Sequence, residues 1–140
     1  MGGQDDRPLE GLSVVVVEDD ALSLEVLCQA LESYGAKVAG VDSVAEARAL
    51  LGQTTPDIVL TDIHLGGDTG IRLLEWLRSR REPAIRDVPV IAVTAYPRQL
   101  QEESANAFAE WLMKPLMMDV LRDAILRAVA PSRNRRAAGL

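Results

Sequence analysis

The chain has one cysteine, Cys28, and one histidine, His64, among its 140 residues. A lone cysteine rules out an intrachain disulfide, and with a single histidine there is no Cys/His set for a structural zinc site. Surplus positive charge is also missing. Fifteen basic against 21 acidic side chains give a formal net charge of -6, which disfavours general nucleic-acid or anionic-membrane binding and is compatible with collecting a cation. No apolar run approaches the roughly 20 residues needed to span a bilayer, and Met1 to Gly11, with Asp5 and Asp6, lacks the apolar stretch of a secretion signal. A soluble, cytoplasmic protein is the expectation.

What is present is enough for one core, since 48% of the residues are hydrophobic and the length suits one domain. The expected organisation is a flexible N-terminal segment over 1–11, a single domain over 12–130 and a basic, disordered tail over 131–140. That tail carries Arg133, Arg135 and Arg136 with no acid, and its contact with nucleic acid is not expected.

Short β-branched runs alternate with helical periodicity. Leu12 to Val17 predicts a strand buried on both faces, and Leu24, Leu27, Cys28, Leu31 and Tyr34 then recur at helical spacing up to Gly35, placed to close the helix in the left-handed region. Ala36 to Val41 predicts a second strand. Ser43 is an N-cap before Glu46, and Val44, Ala47 and Leu51 line the second helix. Asp57 to Asp62 predicts a third strand, followed by a glycine-rich loop from Gly66 to Gly70 and a helix carrying Ile71, Leu74 and Leu77, bounded by Pro83.

Val88 to Thr94 predicts the fourth strand, Pro97 to Ala107 a weakly amphipathic helix and Trp111 to Met113 a short fifth strand. A last helix from about Leu116 to Ala130 is predicted to stop at Pro131. Five strand-helix units imply a doubly wound α/β fold, a flavodoxin-like parallel sheet of order 2-1-3-4-5 covered on both faces, with right-handed crossovers.

Ligands of such a sheet lie beyond the carboxyl ends of its strands, where strand order reverses. Those ends carry Glu18, Asp19 and Asp20, then Asp62, Thr94 and Lys114. In that strand order Asp19 and Asp62 face each other across one cleft, with Thr94 and Lys114 beside it. Clustered carboxylates repel one another, and a hard divalent cation with oxygen ligands relieves this; magnesium fits. A carboxylate can also act as a nucleophile toward phosphorus, in a transfer governed by positioning and charge neutralisation. Asp20, just before Ala21, is expected to cap the first helix.

Over roughly Leu12 to Ala130 the sequence resembles the receiver domains of two-component response regulators. The resemblance rests on Val-Val-Glu-Asp-Asp at 16–20, on Asp57 to Asp62 with Gly70 eight residues on, on Val93-Thr94-Ala95 and on Lys114-Pro115. It implies a phosphorelay signalling role with Asp62 as phosphoacceptor and a magnesium ion held by Glu18, Asp19, Asp62 and the backbone carbonyl of His64. Thr94 and Lys114 would contact the phosphoryl group. Thr94 and Trp111 would form the switch, and the Lys114-Pro115 bond would be cis. The implied partners are a histidine kinase or histidine phosphotransfer protein as donor and a downstream protein target, for a monomer or a phosphorylation-dependent dimer.

Some positions depart from the usual pattern. Gly66 stands where proline is common, which predicts a more pliant loop. Trp111 replaces tyrosine or phenylalanine and is too bulky to bury fully. Trp76, among Arg78, Arg80 and Arg81, is expected to cover the core beside a solvated basic face. The competing classes are a pseudo-receiver that binds partners without phosphorylation, the receiver piece of a hybrid histidine kinase, and an aspartate-nucleophile phosphatase of the haloacid dehalogenase type. The last needs a second aspartate two residues after the nucleophile, where this chain has His64.

Overall fold

A computed structural model describes residues 6–95 and 107–137 of the chain. Its elements are β1 (Ser13–Val17), α1 (Ala21–Ser33), β2 (Lys37–Val41), α2 (Val44–Leu51), β3 (Ile58–Asp62), β4 (His64–Leu65), β5 (Asp68–Thr69), α3 (Gly70–Arg78), α4 (Pro83–Arg86), β6 (Val90–Thr94), β7 (Glu110–Met113) and α5 (Met118–Ala137). The main sheet runs β2-β1-β3-β6-β7 with every pairing parallel. This is the expected 2-1-3-4-5 order, since β6 and β7 are the predicted fourth and fifth strands. The predicted helix over Pro97 to Ala107 falls almost wholly outside the described residues.

Continuous apolar strands arise because both sheet faces are covered. In β1, Val14 and Val16 point into a core with Leu31 of α1 and Leu121 and Ile125 of α5. Val15 and Val17 point the other way, into a second core with Ala47 of α2 and Leu73 and Leu77 of α3. Single-residue alternation thus feeds two cores from one strand.

The helix ends follow the sequence. Asp20 caps α1 by accepting from the Ser23 N–H at 2.9 Å, and Ser43 caps α2 by accepting from the Glu46 N–H at 3.1 Å. Past the α1 C-cap at Tyr34, Gly35 has φ of 100°, a conformation L side chains avoid.

The third helix stops at Arg78, and Pro83, expected to bound it, opens the short α4 instead; three further features also differ from expectation. The segment over 1–11 is not a loose end where it is described: Leu9 is fully buried in the core with Leu12 and Leu31, and its N–H donates to the Tyr34 carbonyl at 2.9 Å. One apolar residue in a polar run gives no periodicity, so this packing is invisible to pattern reading. Pro131 does not end the last helix, which continues to Ala137. Proline's φ suits a helix, and its lost hydrogen bond can be compensated by water near an exposed end. Residues 131–137 are therefore helical. Finally, the glycine-rich loop begins as a hairpin, with His64 and Leu65 paired to Thr69 and Asp68 and Gly66 in the turn at φ 63°.

Candidate functional site

The carboxyl ends of β1, β3, β6 and β7 meet at one rim, and the residues singled out there converge. Glu18 follows β1 and is 4% exposed. Asp62 ends β3, Thr94 ends β6 and is fully buried, and Lys114 follows β7 directly. The Lys114 ammonium bridges the two acids, donating to Glu18 Oε1 at 2.6 Å and to Asp62 Oδ2 at 2.7 Å. The backbone locks the other oxygens: the Asp20 N–H donates to Glu18 Oε2 at 3.1 Å, and the His64 N–H to Asp62 Oδ1 at 3.1 Å. The Lys114 N–H donates to the Thr94 carbonyl at 2.8 Å, and Lys114-Pro115 is cis.

Burial sets the electrostatics. Desolvation raises the Glu18 pKa, only partly opposed by the hydrogen bonds from Lys114 and Asp20. Burial also works against the Lys114 charge, but hydrogen bonds to Asp62 and Glu18 outweigh it and hold the ammonium above its ordinary value. The charged form of the lysine is therefore favoured by the carboxylates it joins.

Glu18, Asp19 and Asp62 each offer an oxygen atom within 4.8 Å of the others'. Opposite oxygens around magnesium span about 4.2 Å at its usual 2.0–2.1 Å ligand distance, so small side-chain movements would complete such a set. One ammonium against three carboxylates also leaves negative charge in excess. The donor set fits a hard divalent ion in type, spacing and charge.

Trp111 stands apart from the acids. It lies beside Ala92 on β6, and its ring meets Phe108 edge-on with centroids 5.5 Å apart. The side chain is only partly buried, as its bulk predicts, yet its Nε1 is buried and finds no partner among the described residues. Ala92 and Thr94 alternate with Val93 along β6, so Thr94 and Trp111 share one sheet face on neighbouring strands.

A family model described as response regulator receiver domain matches residues 14–126. The chain belongs to the receiver family.

Among its relatives, the polar-differentiation response regulator DivK of Brucella ovis is 35% identical over 91 residues, covering 65% of this chain and 72% of DivK. The sensor histidine kinase AruS of Pseudomonas aeruginosa is 35% identical over 119 residues, 84% of this chain. This receiver chain spans only 12% of that kinase's length. Among solved structures, the receiver domain of a Pseudomonas aeruginosa PAO1 sensor histidine kinase superposes with a TM-score of 0.77 at 25% identity, covering 86% of this chain and 98% of that one. That domain has a magnesium ion coordinated in its active-site cleft. The chemotaxis response regulator CheY4 of Vibrio cholerae shares the fold with a TM-score of 0.75 at 19% identity, covering 84% of this chain and 98% of CheY4. Receiver domains are signalling domains of two-component systems rather than turnover enzymes. No described helix is long and apolar enough to cross a membrane.

One feature of the receiver's rim escaped the sequence reading. A cleft of about 360 Å³ opens beside Asp62 between α1 and the start of α5. It is mostly apolar, with Leu22 and Val26 on α1 and Leu116 and Met118 beyond Lys114 among its walls. Leu22 is 69% and Val26 56% exposed. They lie four residues apart, one helical turn, and off the buried stripe of α1. That i, i+4 apolar pair was the signal available in the sequence.

Proposed function

We propose that this receiver takes a phosphoryl group on Asp62 with magnesium bound and passes the signal to a protein partner by changing conformation. The observation that carries the reading is the convergence of Glu18, Asp19, Asp62 and Lys114 at one rim of a receiver fold. A carboxylate oxygen of Asp62 forms the bond to phosphorus while the donor's bond to phosphorus breaks. In a phosphohistidine donor that is the P–N bond, and the imidazole leaves with a proton from water. Glu18, Asp19, Asp62 and the His64 carbonyl would hold the magnesium ion, which supplies neutralisation of the phosphoryl oxygens. Lys114 and Thr94 contact those oxygens, and Thr94 with Trp111 relays their arrival as the switch.

The donor is a histidine kinase or a histidine phosphotransfer protein, and the listener is a downstream protein rather than nucleic acid or membrane. The phosphorylated chain is a monomer or a phosphorylation-dependent dimer. A second reading, the receiver piece of a hybrid histidine kinase, draws support from the likeness to AruS and leaves the Asp62 chemistry unchanged.

The test is incubation with acetyl phosphate followed by mass spectrometry of the peptide holding Asp62. Magnesium should give one phosphoryl group on that peptide, and excess chelator should remove the signal. Labelling elsewhere, or none in magnesium, would leave the pseudo-receiver reading instead.

The exposed apolar wall of the cleft supports a protein donor, because apolar surface at a charged site serves a macromolecule better than a small phosphate. Val26→Asp places a charge on that wall without entering the core. Transfer from a phosphorylated histidine domain should slow about tenfold or more, as for loss of an interface anchor, while acetyl phosphate labels at the wild-type rate. Equal slowing of both donors would count against docking there.

A further inference from the structure

The receiver has a second concave site whose chemistry is opposite in sign to the first. A depression of about 460 Å³ lies where α2 and α3 end, with Leu51, Trp76 and Ile85 as apolar walls and Arg80, Arg81 and Glu82 among the polar ones. The Arg80 guanidinium lies 4.5 Å from the centroid of the Trp76 ring, and Arg48 of α2 reaches the same ring at 5.8 Å.

In an acidic chain, arginines normally find carboxylates. The described ion pairs engage Arg7, Arg72, Arg86, Lys114, Arg122 and Arg127. Arg48, Arg80 and Arg81 form none among the described residues, and they gather at one corner. Helix ends account for part of this charge. Arg80 Nε donates to the Trp76 carbonyl at 3.1 Å, and Arg78 donates to the carbonyls of Arg86 and Val88, each at 2.8 Å. Each helix C-terminus offers roughly half a negative charge, so the ends of α2 and α3 together with Glu82 fall short of the three guanidinium groups of Arg48, Arg80 and Arg81.

We propose that this corner is a docking site for an acidic peptide segment of a partner protein. Charge complementarity names the sign of the occupant. The spread of the cations over α2 and the chain after α3, around apolar walls, names its size. A small phosphate needs donors converging on one point, whereas Arg80 already spends Nε on Trp76 and NH2 on the Ser79 hydroxyl at 3.1 Å. A peptide carrying several carboxylates and intervening apolar side chains matches both features.

Position gives the site its role. Helices α2 and α3 run back from the carboxyl rim, so their C-terminal ends lie at the sheet edge opposite Asp62. A partner held there leaves the phosphoryl cleft open to a donor and acts as a tether that is blind to the phosphorylation state.

The experiment titrates the full chain into a fluorescently labelled peptide of alternating glutamate and leucine at low ionic strength, reading anisotropy. Saturable binding is expected, about tenfold weaker in the double variant Arg48→Glu, Arg81→Glu, the change that 1.4 kcal/mol produces. Both residues are exposed, and circular dichroism of the variant verifies its fold. A peptide with glutamine for glutamate should not bind, and Asp62→Asn should bind the acidic peptide as the wild type does. Equal binding by the charge-reversed variant or by the glutamine peptide overturns the proposal. So does displacement of the peptide by inorganic tripolyphosphate at equal concentration, which would make this a small-anion site. None of these outcomes depends on whether Asp62 accepts phosphorus.

Discussion

Replacing Asp62 with asparagine is expected to abolish labelling by acetyl phosphate while the protein stays folded. The amide keeps an oxygen that can accept the His64 N–H, but it has no carboxylate oxygen able to attack phosphorus, and the drop in labelling should therefore be complete rather than partial. The stability effect is a balance. Lys114 loses one of its two acidic partners, at 2.7 Å, but keeps Glu18 at 2.6 Å, and the repulsion between the Asp62 and Glu18 charges disappears. The desolvation already borne by such groups makes the net change small, within about 1 kcal/mol. Denaturant unfolding of both proteins, beside intact-mass measurement after treatment with acetyl phosphate, separates the two quantities. Residual stoichiometric labelling of Asp62→Asn would move the phosphoacceptor to another side chain.

Gly70→Ala should lower stability by about 2 kcal/mol, roughly 5–10 °C in Tm, against the gain that alanine normally brings to a helix. Gly70 opens α3, and a methyl group there would collide with the Asp62 carbonyl and stand 3.0 Å from the Thr61 side chain. Neither neighbour can easily yield. The Asp62 carbonyl accepts from the Thr61 hydroxyl at 2.8 Å, and the Gly70 N–H is tied to the Ile63 carbonyl at 2.9 Å. Relief must come from the backbone at the end of β3, which carries Asp62. Slower labelling should accompany the fall in Tm, and both follow from one displacement. A variant as stable as wild type would mean that the start of α3 moves freely relative to β3. The spacing of eight residues between Asp62 and Gly70 is thus a packing requirement: the helix that follows the acid approaches it so closely that no Cβ fits.

These cases mark how far the sequence carried. Strand runs, caps and the polar residues at strand ends are local signals, because hydrogen-bonding geometry and apolar periodicity act over a few neighbours. Asp20, Ser43 and Gly35 all sit where their chemistry predicts. The position of Leu9 in the core, the continuation of α5 through Pro131 and the hairpin after Asp62 were not legible. Each turns on what lies opposite in space or on the cost of one missing hydrogen bond at a helix end. Leu22 and Val26 show the same limit on the functional side. Their spacing is visible, but their exposure in a cleft beside Asp62 is not.

By itself the sequence determined the class of fold, the order of the strands and the set of oxygen and nitrogen groups brought to one rim, since alternating buried strands and crossover helices admit few arrangements. Only the tertiary structure decided that one ammonium bridges two particular carboxylates, that Gly70 abuts the Asp62 carbonyl and that Arg48 and Arg80, which form no ion pair among the described residues, lie over Trp76. Those facts depend on ångström distances between segments far apart in the chain, and such distances are set by the packing of both cores at once.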